Sequence, residues 1–417
     1  MNVVGKTKSI LLYLPARVRQ RRIMRDLSIQ LEEWEKRIGQ VGIEDIRTRT
    51  LSYIERLRVD QPLYGSYRYS DSQSVPVLYA STYAAMTRHL YGDLQGLADG
   101  DREQWLEYFA QHQDDDGFFK DPQVESDLAV TEDWWGWRHL TLQVITSVTA
   151  LGNIVLRPFA FLTPFLDLDN LTSWLESRDW NRRPDFVSNE VQNIGAALQY
   201  SRDFHNDQRA GRAVECLLDW LESTQDPQTG LWGRPYDTPA LLSRGVQTGY
   251  HLWLLFFYDK RPVLYLERII DSVLATQNEL GGFGVVPNSS ACEDIDSIDP
   301  LVRLSLMTDY RRDEVQAGLR RALPWVLVNM NDDGGFVFRR GQKFLYGHER
   351  MSSGRDESAM FPTWFRTLSL AYLAQALPDK LVGHFAWQFP HCPGLQFFER
   401  PKGINRPNKV LQSEGSN

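Results

Sequence analysis

An all-α fold, an α/α toroid of about five to six helix hairpins forming an inner and an outer ring, is predicted by three features of this 417-residue chain. The first is a repeat: QDDDGFF at 113, QDPQTGLWG at 225, QNELGGFG at 277 and MNDDGGFVF at 330 share polar residues, then Gly, then an aromatic. The second is its period. Trp180, Trp232, Phe283 and Phe336 fall 52, 51 and 53 residues apart, and Phe119 precedes Trp180 by 61, consistent with one insertion. The third is the alternation of amphipathic and wholly apolar helical stretches between these turns.

Along the chain, residues 1–43 read as a basic N-terminal extension. Lys6, Lys8, Arg17, Arg19, Arg21, Arg22 and Arg25 stand without an acidic residue beside Ile10, Leu11, Leu12 and Leu14. Such a segment either packs on the body as an arm or lies on an anionic membrane surface, which makes peripheral membrane contact an expectation to test. Residues 44–385 carry the toroid. Val214, Leu217, Leu218 and Leu221 follow the i, i+3, i+4, i+7 spacing of a one-sided helix, as do Leu266, Ile269, Ile270 and Val273. These are the outer helices, and each runs into a glycine turn that can end it. The stretches LTLQVITSVTALG, VQNIGAALQY, TGYHLWLLFFY, PLVRLSLM and TWFRTLSLAYLAQAL have no polar face and belong to the buried inner ring. Pro324 is expected to kink or interrupt one outer helix. Residues 386–417, rich in Pro and polar residues, read as an irregular tail.

Composition excludes several classes. A net charge of −8 argues against a nucleic-acid partner. Three distant cysteines, Cys216, Cys292 and Cys392, form no disulfide framework and point to a cytoplasmic location. No apolar run is long enough to span a bilayer. Phosphate loops, dinucleotide fingerprints, paired-cysteine zinc sites and nucleophile elbows are all missing.

Gln, two or three polar residues, Gly and then Trp or Phe resembles the repeat of the terpenoid cyclase and protein prenyltransferase superfamily, whose members are α/α toroids. The match covers residues 75 to 380, with Phe replacing Trp in most copies. In such a ring the loops before the inner helices converge on a central cavity. The candidates there lie in TEDWWGWRH at 131, SNEVQN at 188, SRGVQTGYH at 243, EDIDSID at 293 and GRDESAMFPTWFR at 354.

The 293 cluster is the most concentrated. Asp299-Pro300 reads as an N-cap followed by proline at the first helical position. Glu293, Asp294 and Asp296 need another account: carboxylates crowded in a poorly solvated site cannot all ionise, so one keeps its proton and becomes an acid. DIDS also resembles the Asp-x-Asp-Asp motif of class II terpenoid cyclases, with Ser297 in place of the last Asp. That resemblance implies Asp296 as proton donor, with Asp294 and Glu293 raising or positioning it, in an isomerase-type cyclisation of an isoprenoid. Trp134, Trp135, His139, Glu190, Gln247, His251, Trp364 and Arg366 are the candidate substrate-binding residues. No metal or cofactor is expected for a neutral substrate; a diphosphate would ask for Mg²⁺ or basic side chains, for which Arg138, Arg244 and Arg366 are placed. The prenyltransferase branch would imply zinc on Cys292, Asp294 and His348. A glycan-active toroid with paired carboxylates, or a non-catalytic toroid binding lipid or glycan, are the alternatives; in each case the partner is a small molecule.

Overall fold

The computed structural model describes residues 21–38, 40–124, 135–233, 236–284 and 286–394. Residues 21–37 (α1) are helical and lay Leu27 and Trp34 on the body, while Arg22 and Arg25 stay exposed. The arm therefore packs over its described part; residues 1–20 lie outside the described residues.

Six hairpins follow. Each pairs an outer helix with an inner one: α2 (Ile43–Arg56) with α3 (Leu78–Leu90), α4 (Asp99–Ala110) with α5 (Trp137–Ala150), and α6 (Leu168–Glu176) with α7 (Pro184–Phe204). The second half repeats the scheme with α8 (Gln208–Thr224) and α9 (Pro239–Asp259), α10 (Leu266–Leu274) and α11 (Ala291–Ser305), and α12 (Arg312–Val328) and α13 (Met360–Ala376). The inner helices pack in the order α3, α5, α7, α9, α11, α13, and α13 returns to α3. That contact closes the ring, so the chain is an α/α toroid. Among the described residues the only strands are the two-residue pair Phe344–Leu345 (β1) and Ser352–Ser353 (β2).

Burial follows the sequence pattern. In α8 the buried residues are Ala210, Ala213, Val214, Leu217, Leu218 and Leu221, a single stripe, whereas α13 is buried continuously from Met360 to Ala374. The α12 helix runs through Pro324 without interruption.

The repeated turn has a defined job. The Gln side chain donates to the turn carbonyl, Gln225 to Gly230 O and Gln277 to Gly281 O, both at 2.8 Å. The glycines lie at positive φ, 91° at Gly281 and 92° at Gly334. A Cβ at Gly281 would collide with Arg321 O on the next outer helix, and one at Gly334 with Arg49 O on α2. The last turn thus locks onto the first hairpin, helped by Thr50 Oγ1 donating to Gly334 O at 3.0 Å.

The chain then crosses the C-terminal ends of the inner helices. Gln388 N donates to Leu90 O at 3.1 Å, Phe389 packs on Tyr372, His391 on Tyr258, and Cys392 is buried beside Thr149. The irregular segment is therefore a fitted floor to the ring over its described part.

Candidate active site

The N-terminal halves of the inner helices surround a partly open space of about 120 Å³. How the sequence aims residues into it is clearest in α11. Ser290 caps the helix: its hydroxyl accepts from Glu293 N at 3.3 Å while the Glu293 carboxylate accepts from Ser290 N at 2.8 Å. The helix consequently begins at Ala291, not at Pro300. Asp299 is no cap; it sits in mid-helix, fully buried, and pairs with Arg303 at 2.5 Å. Pro300 is internal, and its missing N–H leaves the Asp296 carbonyl without its helical donor.

Two residues along a helix are about 200° of rotation, so Asp294 and Asp296 face opposite ways. Asp294 points away from the cavity into a dense set of donors. Phe283 N and Ser289 Oγ reach Oδ1, and Trp325 Nε1 reaches Oδ2, each at 2.8 Å; Arg366 forms a fully buried ion pair with Oδ2. Burial pushes this carboxyl up from the ordinary value, against the Arg366 charge and three hydrogen bonds. With four donors converging, the ionised form is the one this environment holds. Glu293 is occupied by the cap and by Arg339 at 2.7 Å.

Asp296 lines the cavity. Every influence on its carboxyl acts in one direction: burial first, then the charges of Glu293, Asp299 and Asp294, all raising it well above the carboxylate range. The neutral acid is therefore the form these surroundings favour. Cys292, one turn earlier, shares the lining, and burial likewise holds its thiol protonated.

Two histidines complete the polar side. Tyr79 gives its hydroxyl proton to Trp135 O, so His139 Nδ1 is the donor in the 2.8 Å contact with Tyr79, and its Nε2 keeps a lone pair. Ser188 Oγ donates to Asp185 O, which makes His251 Nδ1 the donor to Ser188 at 3.1 Å and leaves Nε2 as acceptor. Burial pushes both imidazoles down to about 3, His139 with a further contribution from His251, so both are neutral. An aromatic run adjoins them: Tyr346, Phe361 and Phe365 follow one another at 4.2 and 4.4 Å between centroids, Tyr346 Oη lies 3.5 Å from His139 Nε2, and Phe186 also lines the space.

Of the residues the sequence singled out, Asp296, His139, Gln247 and His251 are brought together around this space. Asp294, Glu293 and Arg366 form the anchor behind α11. Glu190 pairs with Arg178 at 3.5 Å, Trp135 stacks on Tyr79 at 5.6 Å behind the lining, and Trp364 is fully buried in the core. Trp134 lies outside the described residues. Asn189, Gln192, Tyr250, Phe361 and Phe365 lie within the candidate stretches without having been singled out, and Tyr346 lies outside them. The i, i+4 spacing of Phe361 and Phe365 was a readable signal of a shared face; Tyr346, delivered by the β1–β2 turn, had none. Among the described residues no group of three or more His, Cys, Asp or Glu could hold a metal ion, and no helix is long and apolar enough to cross a membrane.

No protein-family model and no curated protein matches the chain. Among solved structures it is similar to a variant of the type II terpene cyclase MstE from Scytonema bound to geranylgeranyl dihydroxybenzoate. The identity is 14%, covering 84% of this chain and 99% of that one, at a TM-score of 0.41. It is similar also to the GH76 α-mannanase of Bacteroides thetaiotaomicron (13%, 83% and 98%, TM-score 0.46). A third is ent-copalyl diphosphate synthase from Streptomyces platensis (16%, 85% and 67%, TM-score 0.41). These neighbours differ in chemistry, so the likeness leaves the reaction to be argued from the site itself.

Proposed function

We propose that the protein is an isoprenoid cyclase of the proton-initiated kind, with Asp296 as general acid. The observation that carries this reading is the convergence of the Asp296 carboxyl, which its surroundings hold towards the neutral acid, and two buried imidazoles on one cavity that also bears Tyr346, Phe361, Phe365 and Phe186. Such a set supports proton-in, proton-out chemistry without water or a redox partner. In the reaction, the Asp296 O–H proton adds to an alkene carbon, and the π pair becomes the new C–H bond. The resulting cation is met by the π pair of a second alkene, closing a ring. A C–H bond next to the final cation then gives its pair to a new alkene and its proton to Nε2 of His139 or His251. The net change is an isomerisation. Tyr346, Phe361, Phe365 and Phe186 present π faces that stabilise a cation without trapping it.

A second reading has one specific observation behind it. Asp185 also lines the cavity, so two carboxyl groups, Asp185 and Asp296, face one space, and a glycan-cleaving toroid needs two. Against it stands the absence of Trp from the described lining.

The test incubates wild type and Asp296→Asn with linear isoprenoids and their diphosphates, with and without Mg²⁺, and analyses products by mass spectrometry. Cyclised product from wild type that disappears in a folded Asp296→Asn supports the acid. Turnover of α-mannan oligosaccharides, lost in Asp185→Asn, would transfer the assignment to the second reading.

A further inference from the structure

Within the isoprenoid reading, on which this inference rests, the cavity also carries information about the other end of the substrate. Three of its lining residues keep polar atoms without a hydrogen-bond partner: Tyr250 Oη, Gln192 Nε2 and Asn189 Oδ1. Tyr250 and Gln192 are almost completely buried, at 1% and 2% exposure, so bulk water does not serve them. Asn189 and Gln192 are three residues apart on α7 and share a face, and α7 packs directly on α9, which bears Tyr250. The Asn189 amide nitrogen already faces His251 Nε2 at 3.4 Å, which turns its oxygen to the unpartnered side. Together they offer one donor, one acceptor and one hydroxyl able to do both. Buried polar groups are nearly always paired in folded proteins, so a cluster of unpaired ones on one cavity wall marks where a ligand supplies the missing partners.

The charges nearby decide what kind of group that is. The described lining contains no Lys or Arg but does contain Asp185 and Asp296. Arg183 pairs with Asp185 at 3.4 Å, Arg366 with Asp294 and Arg303 with Asp299, and neither Arg138 nor Arg244 lines the space. A diphosphate placed here would set its charge beside the Asp185 carboxylate with no Lys or Arg in the described lining to face it, which is unfavourable. A hydroxyl both donates and accepts, carries no charge, and complements all three side chains.

We propose that the substrate is a neutral isoprenoid alcohol whose hydroxyl is held by Tyr250, Gln192 and Asn189, with its alkene end turned to Asp296 and the aromatic wall. The side chains at 250, 192 and 189 determine specificity for the polar end, and Asp296 acts on the apolar end.

Binding to the whole 417-residue chain, followed by calorimetry and by thermal shift, tests this with three probes of ten carbons: geraniol, geranyl diphosphate with and without Mg²⁺, and the hydrocarbon myrcene. Geraniol is expected to bind at least about tenfold tighter than geranyl diphosphate, the ratio that one well-made hydrogen-bond set against an uncompensated charge exceeds. Tyr250→Phe and Gln192→Met, both of similar volume, are expected to weaken geraniol about tenfold each while leaving myrcene unchanged. Geranyl diphosphate binding as tightly as geraniol overturns the proposal. So does a Tyr250→Phe protein that loses geraniol and myrcene equally, since the defect is then one of packing. If none of the three binds and an α-mannan oligosaccharide does, the isoprenoid reading itself falls, and this proposal with it.

Discussion

Asp294 and Asp296 stand two residues apart in one acidic stretch, yet the structure assigns them opposite energetic roles, and the same isosteric change separates them. In Asp294→Asn the amide nitrogen replaces an oxygen that accepts from Trp325 Nε1 and Arg366. Donor then faces donor. The Arg366 guanidinium is left without counter-charge at zero exposure, a loss of about 3–5 kcal/mol, and the orphaned indole N–H adds about 1–3 kcal/mol. Against a typical total of about 5–15 kcal/mol, that is a large fraction of the stability. Asp296 has no such set of donors and its surroundings favour the neutral acid, so Asp296→Asn is expected within about 1 kcal/mol of wild type. Its sign follows from linkage. The folded state binds the Asp296 proton more tightly than the unfolded state, so the stability it contributes is complete below the unfolded carboxyl value of about 3.9 and is lost as pH rises above it. The asparagine variant should therefore gain on wild type as pH increases from 4 towards 8. Urea unfolding followed by tryptophan fluorescence at pH 4.5 and 7.5 measures both effects. An Asp294→Asn protein that loses less than about 2 kcal/mol, or an Asp296→Asn protein that loses more than that, would refute the division of labour.

Further outcomes follow from the same geometry. His139 and His251 titrate near 3 when folded and near 6.5 when unfolded, so stability is lost as pH falls from 6.5 towards 3, by on the order of 3 kcal/mol for each at pH 4. Replacing His251 by Gln should flatten the pH 4–7 dependence of the urea midpoint, and an unchanged slope would refute the neutral, buried imidazole. Gly334→Ala is expected to cost about 3 kcal/mol, because a Cβ at φ 92° meets the Arg49 carbonyl that closes the ring. Gly100→Ala, in the open first turn of α4, should instead stabilise by about 0.5–1 kcal/mol; equal behaviour of the two in thermal denaturation would remove the ring-lock argument. Thr363→Val removes the acceptor for Phe336 N, now at 3.0 Å, and should cost about 1–3 kcal/mol by the same assay, with ligand binding retained.

The fold was legible because a closed ring of repeats imposes the same demand six times. A period near 52 survives the drift of any one copy, and the contrast between one-sided and all-round apolar helices separates outer from inner ring without any long-range information. The acidic stretch was harder. Asp299-Pro300 carries the local signature of a helix start, but Ser290-Ala-Cys-Glu293 carries a stronger one, the reciprocal cap, and that cap set the boundary nine residues earlier. With the boundary shifted, Asp299 moved from a surface cap to a buried ion pair. The roles of Arg366 and Trp325 were not legible, since both approach Asp294 from other elements of the ring.

What separates scaffold from site is visible once the hairpins are compared. In three of them the N–H of the turn aromatic donates to a side chain near the start of the following inner helix: Phe119 to Thr141 and Phe336 to Thr363, both at 3.0 Å, and Phe283 to Asp294 at 2.8 Å. Asp294 thus does the work that threonine does elsewhere, and its charge is what obliges Arg366 and Trp325 to attend it. The residues two before and two after each anchor are one helical turn apart and lie on the opposite face. They are His139 and Gln143, Phe361 and Phe365, and Cys292 and Asp296, and all six line the cavity. The anchors are constrained by the fold, whereas the flanking positions are free to differ, and they do differ: imidazole and amide, two phenyl rings, thiol and acid. A single scaffold requirement, repeated around the ring, fixes which positions face inward and leaves their chemistry open, which is how one proton donor comes to sit among aromatic and neutral polar groups.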